Sequence, residues 1–260
     1  MIQRVSHQAE VLDIYRHKPQ VHPYGIADAQ QLWDSSTWWR DGPAVVGLLR
    51  LDGTDVVYAI AAQEATATLD LLAALSSRLP DAFVITGPTG LTAVLEQGGF
   101  VAQWSDAYDK LHLPSRVVLP PPGSAGVQVL SRADLDQVLT LFATDPDAGD
   151  FFHADLLDTG YYLGRHTDGM LVAVGGVHVV DLVNSVAAIG NVATHPAYRR
   201  QGHARAVVVE LLHLLRTEVE VIGLNVRHRT LAARSLYTSL GFEWAITYEE
   251  AEVARLVTSD

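Results

Sequence analysis

The sequence contains no cysteine, which excludes disulfides, thiolate zinc sites and a cysteine nucleophile, and leaves no redox clue to compartment. Basic residues are scarce: 18 Lys and Arg stand against 30 Asp and Glu, a formal net charge of −12. Attraction to nucleic acid or anionic lipid depends on clustered cations, so neither nucleic acid nor a membrane is an expected partner. Long apolar runs are also missing. The stretch Met170 to Val180 is rich in valine and interrupted by glycine, well short of the roughly 20 residues that span a bilayer. The opening residues Met1-Ile2-Gln3-Arg4 lack the apolar core and cleavage site of a secretory signal, so a cytoplasmic location is expected. No G-x-x-x-x-G-K-[ST] loop is present, which removes the usual basis for phosphoryl transfer; Gly87-Pro88-Thr89-Gly90 reads as a turn. His153, His166, His195, His203 and His228 form no H-x-x-x-H or H-E-x-x-H grouping, so no metal is expected.

What remains is ample for a folded protein: 260 residues, 48% hydrophobic and 18% charged, enough for one large domain or two of about 130 residues. The segment Leu119-Pro120-Pro121-Pro122-Gly123-Ser124 continues neither a helix nor a central strand. It divides the chain into an N-terminal domain 1–118, a proline-rich linker 119–126 and a C-terminal domain 127–260. Before the linker, periodicity predicts helices near Ser6–Arg16 and Ile26–Trp33, a hairpin of Ala44–Leu51 and Asp55–Ala61 turning at Asp52-Gly53-Thr54, a helix Ala67–Arg78, a strand Ala82–Thr86, a helix Leu91–Gln97 and a strand Phe100–Leu113. After it come a strand Val127–Leu130, a helix Ser131–Ala143 with Ser131 as N-cap, and strands Tyr161–Arg165, Leu171–Val180 and Val186–Thr194. A helix Gly202–Thr217, a strand Val219–Val226, a helix Thr230–Leu240 and a strand Phe242–Tyr248 follow. The longest of these helices places Ala204, Val208, Leu211 and Leu215 on a sheet-facing side and His203, Ala206, Glu210, His213 and Thr217 roughly opposite. The similar order in the two halves suggests a divergent tandem repeat.

The chemistry concentrates in Val192-Ala193-Thr194-His195-Pro196-Ala197-Tyr198-Arg199-Arg200-Gln201-Gly202-His203-Ala204, where a strand breaks at Pro196 and a helix begins near Gly202. A helix N-terminus offers unpaired N–H groups and partial positive charge, and Arg199 and Arg200 add to it, so the segment suits a pyrophosphate. Arg199-x-x-Gly202-x-Ala204 resembles the acyl-CoA-binding motif of the GNAT N-acetyltransferase superfamily. Downstream, Leu224-Asn225-Val226 and Thr230-x-x-Ala233-x-x-Leu236-Tyr237-x-x-x-Gly241-Phe242 resemble the same family's second signature, with Thr230 where an asparagine is usual.

The resemblance covers roughly Val127 to Tyr248. It implies an α/β (α+β by some schemes) fold of two tandem GNAT-like domains, each with a mixed, mostly antiparallel sheet flanked by helices. The N-terminal domain is degenerate: Leu95-Glu96-Gln97-Gly98-Gly99-Phe100 resembles the end of the second signature, but no Arg-x-x-Gly-x-Ala precedes it. The implied cosubstrate is acetyl-CoA, held by Val192, Ala193, Thr194, Arg199, Arg200, Gln201, Gly202, His203, Ala204, Thr230 and Ala233. Tyr237 matches the tyrosine that protonates the departing thiolate, and would also serve as a core aromatic beside Ala233, Leu236 and Leu240. No Asp or Glu lies on Val186–Thr194, which leaves His178 or water as general base and Asn191 as a residue that orients substrate. The expected activity is transfer of an acetyl group to the primary amine of a small molecule or peptide by direct attack. The alternative is an acyl-CoA-binding module without chemistry, and a homodimer is left open. Trp33, Trp38, Trp39 and Trp104 fit either a core or the lining of a pocket.

Overall fold

The computed structural model describes residues 1–51, 53–62, 64–123, 125–145 and 148–256; Asp52 of the hairpin turn and Ser124 of the proline-rich segment lie outside them. In chain order the elements are β1 (Gln3–Arg4), α1 (Gln8–Arg16), α2 (Pro23–Gln31), β2 (Thr37–Asp41), β3 (Ala44–Leu51), β4 (Thr54–Tyr58), α3 (Ala65–Leu75), β5 (Ala82–Gly87), α4 (Leu91–Gln97) and β6 (Phe100–Leu113). They continue as β7 (Val127–Val129), α5 (Leu135–Phe142), β8 (Leu163–Thr167), β9 (Met170–Asp181), β10 (Val186–Thr194), α6 (His203–Leu215), β11 (Val221–Arg227), α7 (Leu231–Ser239) and β12 (Glu243–Arg255).

These elements form two compact units that are not separated by a single cut at the prolines. Residues 1–112, 226–234 and 244–260 make the first; residues 113–225 and 235–243, proline-rich segment included, make the second. The reason lies in β12, which pairs antiparallel with β5 from Glu249↔Gly87 to Ala254↔Ala82. Its side chains anchor it as well: the Glu249 carboxylate accepts hydrogen bonds from the Gly90 backbone N–H at 2.7 Å and the Thr92 hydroxyl at 2.5 Å. Arg255 donates to Asp81 at 2.8 Å and lies 4.3 Å from the centre of the Phe100 ring.

In the first unit the strand order is β1-β2-β3-β4-β5-β12-β6. The β2–β3 and β3–β4 pairs are antiparallel, and the β4–β5 pair, connected through α3, is parallel. Val46, Val57, Ile85, Ala251 and Val253 face Leu71, Leu72 and Leu75 of α3 and Leu91 and Leu95 of α4 in one apolar cluster. Trp38 and Trp39 are buried in the core, whereas Trp104 is partly exposed and donates to Glu252 at 2.9 Å. Asp109 is also buried: it accepts from Thr247 Oγ1 at 2.7 Å, meets His228 Nδ1 at 3.1 Å and pairs with Arg234 Nε at 3.1 Å. Burial alone would raise the Asp109 carboxyl, but hydrogen bonds from Thr247 and His228 and the charges of His228 and Arg234 hold it below its ordinary 3.8. A depressed carboxylate stabilises the fold above its unfolded pKa and ceases to do so as pH falls through the folded value. The difference in urea midpoint between the parent and Asp109→Asn should therefore be widest near neutral pH and narrow as pH falls below the ordinary carboxyl range.

The second unit repeats the scheme. Its strand order is β11-β10-β9-β8-β7, with antiparallel pairs throughout except the parallel β10–β11 pair, joined through α6. Ser131 starts its first helical segment with a capping box, its hydroxyl accepting from the Ala133 N–H while Asp134 accepts from the Ser131 N–H at 2.8 Å. Helix α6 is buried on more than one face: His203 and Ala206, expected toward solvent, are covered along with Val207, Val208, Leu211 and Leu215. Among the described residues no helix is long and apolar enough to cross a membrane.

Candidate functional site

The site rests on an opening and two bulges in the second unit's sheet. Strand β10 pairs with β11 from Val186↔Val221 only as far as Ile189↔Leu224. Beyond Ile189 the β11 side of β10 has no strand partner among the described residues, which leaves backbone groups of Val192, Ala193 and Thr194 available to an extended ligand. On its other side β10 pairs with β9, where His178 is an extra residue between Val177↔Ile189 and Val179↔Ala188. Asn191 and Val192 then together oppose Gly175, between Gly190↔Gly176 and Ala193↔Val174. Such a bulge bends a strand and re-aims its side chains.

Asn191 adopts φ 50°, in the left-handed region that asparagine tolerates better than most residues. Tyr162 Oη donates to its Oδ1 at 2.5 Å, and its Nδ2 donates to the carbonyls of Ala148 and Asp150, each at 2.9 Å. The amide expected to orient substrate is thus committed to holding the bulge. Two glycines admit the rings around it: a Cβ at Gly176 would come within 2.3 Å of Tyr162, and one at Gly190 within 2.3 Å of His178. Burial pushes the His178 imidazole down to about 4; a hydrogen bond with Asn191 opposes this and the nearby His153 adds to it. At neutral pH His178 is uncharged and a weak base, since proton transfer is most effective when the pKa lies near the working pH.

After Thr194 the chain turns through a 3-10 segment, Pro196–Tyr198, with the His195 N–H donating to the Val172 carbonyl at 2.9 Å. Arg200 (φ 59°) and Gly202 (φ 81°) are both left-handed, and α6 begins at His203. Residues of alternating hand fold the backbone into a concavity that presents N–H groups to an anion, and the first turn of α6 adds its own. Of the two arginines, Arg199 braces the loop, donating to the Thr194 carbonyl at 3.2 Å and to Asp145 at 2.9 Å, while Arg200 is exposed. Gln201 donates to the Ala197 carbonyl at 3.2 Å. Tyr198, which the sequence did not single out, stands edge-on between His195 at 5.7 Å and His203 at 5.9 Å. His203 is buried, and neither ring nitrogen has a partner among the described residues. Burial, then the Arg165 charge, lowers its pKa, so it too is neutral.

Tyr237 on α7 is 7% exposed, with its ring edge-on to Phe242 at 5.6 Å. Burial raises its phenol above the ordinary 10, which keeps it protonated at any physiological pH. Thr230 and Ala233 fall within the segment that clusters with the first unit, unlike the loop, the bulge and Tyr237. Thr230 precedes α7, its carbonyl accepting from the Arg234 N–H at 3.1 Å. In the first unit the corresponding β4–α3 connection carries buried Ala59 and Ile60 and ends with Glu64 at the N-cap of α3, which offers an anion neither cation nor glycine. No group of three or more His, Asp or Glu that could hold a metal ion occurs among the described residues.

A mixed sheet that parts beside a bulge, followed by a glycine-containing loop and a helix N-terminus, is the arrangement of a GNAT fold. Residues 132–242 match the Acetyltransferase (GNAT) family, and the chain carries a domain of that family there. Among solved structures, a Drosophila protein is 15% identical over 99% of both chains with a TM-score of 0.68. An acetyltransferase from the GNAT family of Colwellia psychrerythraea is 12% identical over 97% of this chain and 99% of its own, with a TM-score of 0.57. A tandem GNAT protein from the clavulanic acid biosynthesis pathway is 15% identical over the full length of both, with a TM-score of 0.53. At these identities the likeness is one of fold, and it extends to the tandem arrangement. No curated protein matches the sequence.

Proposed function

We propose that the chain is an acetyl-CoA-dependent N-acetyltransferase whose second unit holds the cosubstrate. The observation that carries this reading is the end of β10–β11 pairing at Ile189↔Leu224, followed directly by the left-handed Arg200 and Gly202 and the start of α6. Backbone groups of Val192 to Thr194 pair with the amides of the pantetheine arm. The N–H groups of Gly202, His203 and Ala204, with the exposed Arg200, receive the pyrophosphate. Arg199 contributes by fixing the loop through Asp145, and Gln201 by fixing it through Ala197.

Bound there, acetyl-CoA supplies an activated acyl group to a neutral primary amine of a small molecule or peptide, and direct attack needs no covalent enzyme intermediate. Tyr237, kept neutral by burial, donates its proton to the leaving sulfur. The amine's proton passes to water; His178 serves with Tyr162 and Asn191 to hold the bulge. CoA release measured against a panel of primary amines should be acceptor-dependent. The absence of Asp or Glu from β10 favours a second reading, a noncatalytic acyl-CoA-binding module, and a lack of acceptor-dependent CoA release with every amine would select it.

Tyr237→Phe separates chemistry from binding. The ring stays packed on Phe242 and only the proton donor is lost, so kcat should fall about 100-fold or more with acetyl-CoA affinity unchanged. An unaltered kcat would remove Tyr237 from the reaction.

A further inference from the structure

The first unit contains a buried polar layer that none of the steps proposed above involves. Val57, Ile85 and Ala251 belong to the apolar cluster on one face of its sheet, so strand alternation turns their neighbours Tyr58, Thr86 and Glu250 to the other. The register places these three side by side, Tyr58↔Thr86 across β4–β5 and Thr86↔Glu250 across β5–β12. From β6, the Lys110 ammonium lies 4.8 Å from the centre of the Tyr24 ring and 5.0 Å from that of Tyr248. Helices α1 and α2 and their connection cover the layer. The His22 ring stacks on Tyr15 at 4.3 Å, and Tyr15 stands edge-on to Tyr58 at 5.8 Å. At Gly25 a Cβ would come within 2.6 Å of Tyr58 and 2.8 Å of Tyr15, so the bare backbone is what lets both rings in.

Three polar atoms here, Tyr15 Oη, His22 Nδ1 and Thr86 Oγ1, are buried with no hydrogen-bond partner among the described residues, whereas the Tyr58 hydroxyl is hydrogen-bonded by the Gly25 backbone. Tyr15, Tyr58 and His22 are only 1%, 4% and 4% exposed. Buried polar atoms are nearly always met by protein, water or ligand, and three unmet ones in a single layer point to an occupant. Tyr24, Asp28, Thr86 and Glu250 are half-buried, so the layer reaches solvent.

Charge selects the kind of occupant. Asp28 and Glu250 both act on Lys110, two carboxylates against one ammonium. Burial pushes Lys110 down to about 7 and Asp28 up to about 7, the expected result when desolvated charges compensate one another incompletely. Burial, then the Lys110 and Lys18 charges, pushes His22 down to about 3, so its imidazole is neutral and can accept a hydrogen bond. Tyrosine faces attract cations through their ring quadrupoles.

We propose that this layer binds a small organic ammonium ion, its three N–H groups received by the Tyr15 and Thr86 hydroxyls and His22 Nδ1, and its charge by Asp28 and Glu250. Every residue in this layer belongs to the first unit.

The test is an NMR titration of the full-length protein, carbon-13 labelled in its tyrosine rings, with ethylammonium chloride. Acetate and ethanol serve as anionic and neutral probes of similar size. Saturable shifts at Tyr15, Tyr24, Tyr58 and Tyr248 are expected with ethylammonium alone, weakened about tenfold or more in Glu250→Gln, where a charge-assisted contact is lost. Tyr15→Phe keeps the ring and removes one unmet hydroxyl, so it should fold with an unchanged or higher Tm yet bind more weakly; it serves if Glu250→Gln does not fold. Gly202→Glu should leave these shifts intact, which separates this site from the acetyl-CoA site. Absence of saturation, equal shifts with acetate or ethanol, or undiminished binding by the folded variants would overturn the proposal.

Discussion

Gly202→Glu should weaken acetyl-CoA binding by at least about 100-fold, equivalent to roughly 3 kcal/mol. Two effects combine. Gly202 sits at φ 81°, where a side chain costs about 1–2 kcal/mol. The added carboxylate would stand at the N-terminus of α6, where the N–H groups and the positive end of the helix dipole meet the pyrophosphate. Crowding contributes little, because a Cβ at Gly202 meets no atom within 4 Å. Gly202→Ala therefore isolates the conformational part and should lose only about tenfold. Calorimetric titration of the parent and both variants decides the matter. Binding by the glutamate variant equal to that of the parent would place the cosubstrate elsewhere.

Asn191→Leu should destabilise the protein by about 3–5 kcal/mol, among the larger effects of any single substitution. Leucine must take up the left-handed φ of 50° without the local hydrogen bonding that makes asparagine tolerable there. The Tyr162 hydroxyl, on a residue with no exposed surface, loses its acceptor, and the carbonyls of Ala148 and Asp150 lose their donor. Each buried group left unmet costs about 1–3 kcal/mol. Urea unfolding measures the loss. A drop below about 1 kcal/mol would mean that the strand register, and not the amide, maintains the bulge.

Much of the fold was legible because local rules set it. Ala44–Leu51, Phe100–Leu113 and Val186–Thr194 appear as strands with the limits their alternation and flanking turn residues predict, and Leu91–Gln97 as a helix. Ser131 caps its helix with Asp134, as an Ser-x-x-acid spacing implies. Gly202 marks the start of α6 because glycine alone enters that conformation freely. The less legible features depend on partners far away in sequence. Thr37–Asp41 becomes a strand by pairing with Ala44–Val45–Val46–Gly47–Leu48, not through a pattern of its own. The last strand is expected to end at Tyr248 and runs to Arg255, since Glu249 and Glu252 look solvent-bound until Gly90 and Thr92 come beside the first and Trp104 beside the second. Asn191 reads as a substrate contact until Tyr162, 29 residues earlier, is seen to hold it. The paired arginines look equivalent in sequence, and it is the Thr194 carbonyl and Asp145 that assign Arg199 to the loop itself.

The order of synthesis gives the placement of β12 a further meaning. The first unit's sheet runs β5-β12-β6, so the strand Glu243–Arg255 fills a gap between two strands made well before it. Until residues near 255 have left the ribosome, β5 presents an unpaired edge, and Gly90 and Thr92 lack the carboxylate that caps them. Many multidomain chains fold from the N-terminus forward while translation proceeds. In this chain the first unit's sheet closes only once β12 is available to pair with β5, which keeps an open edge until then.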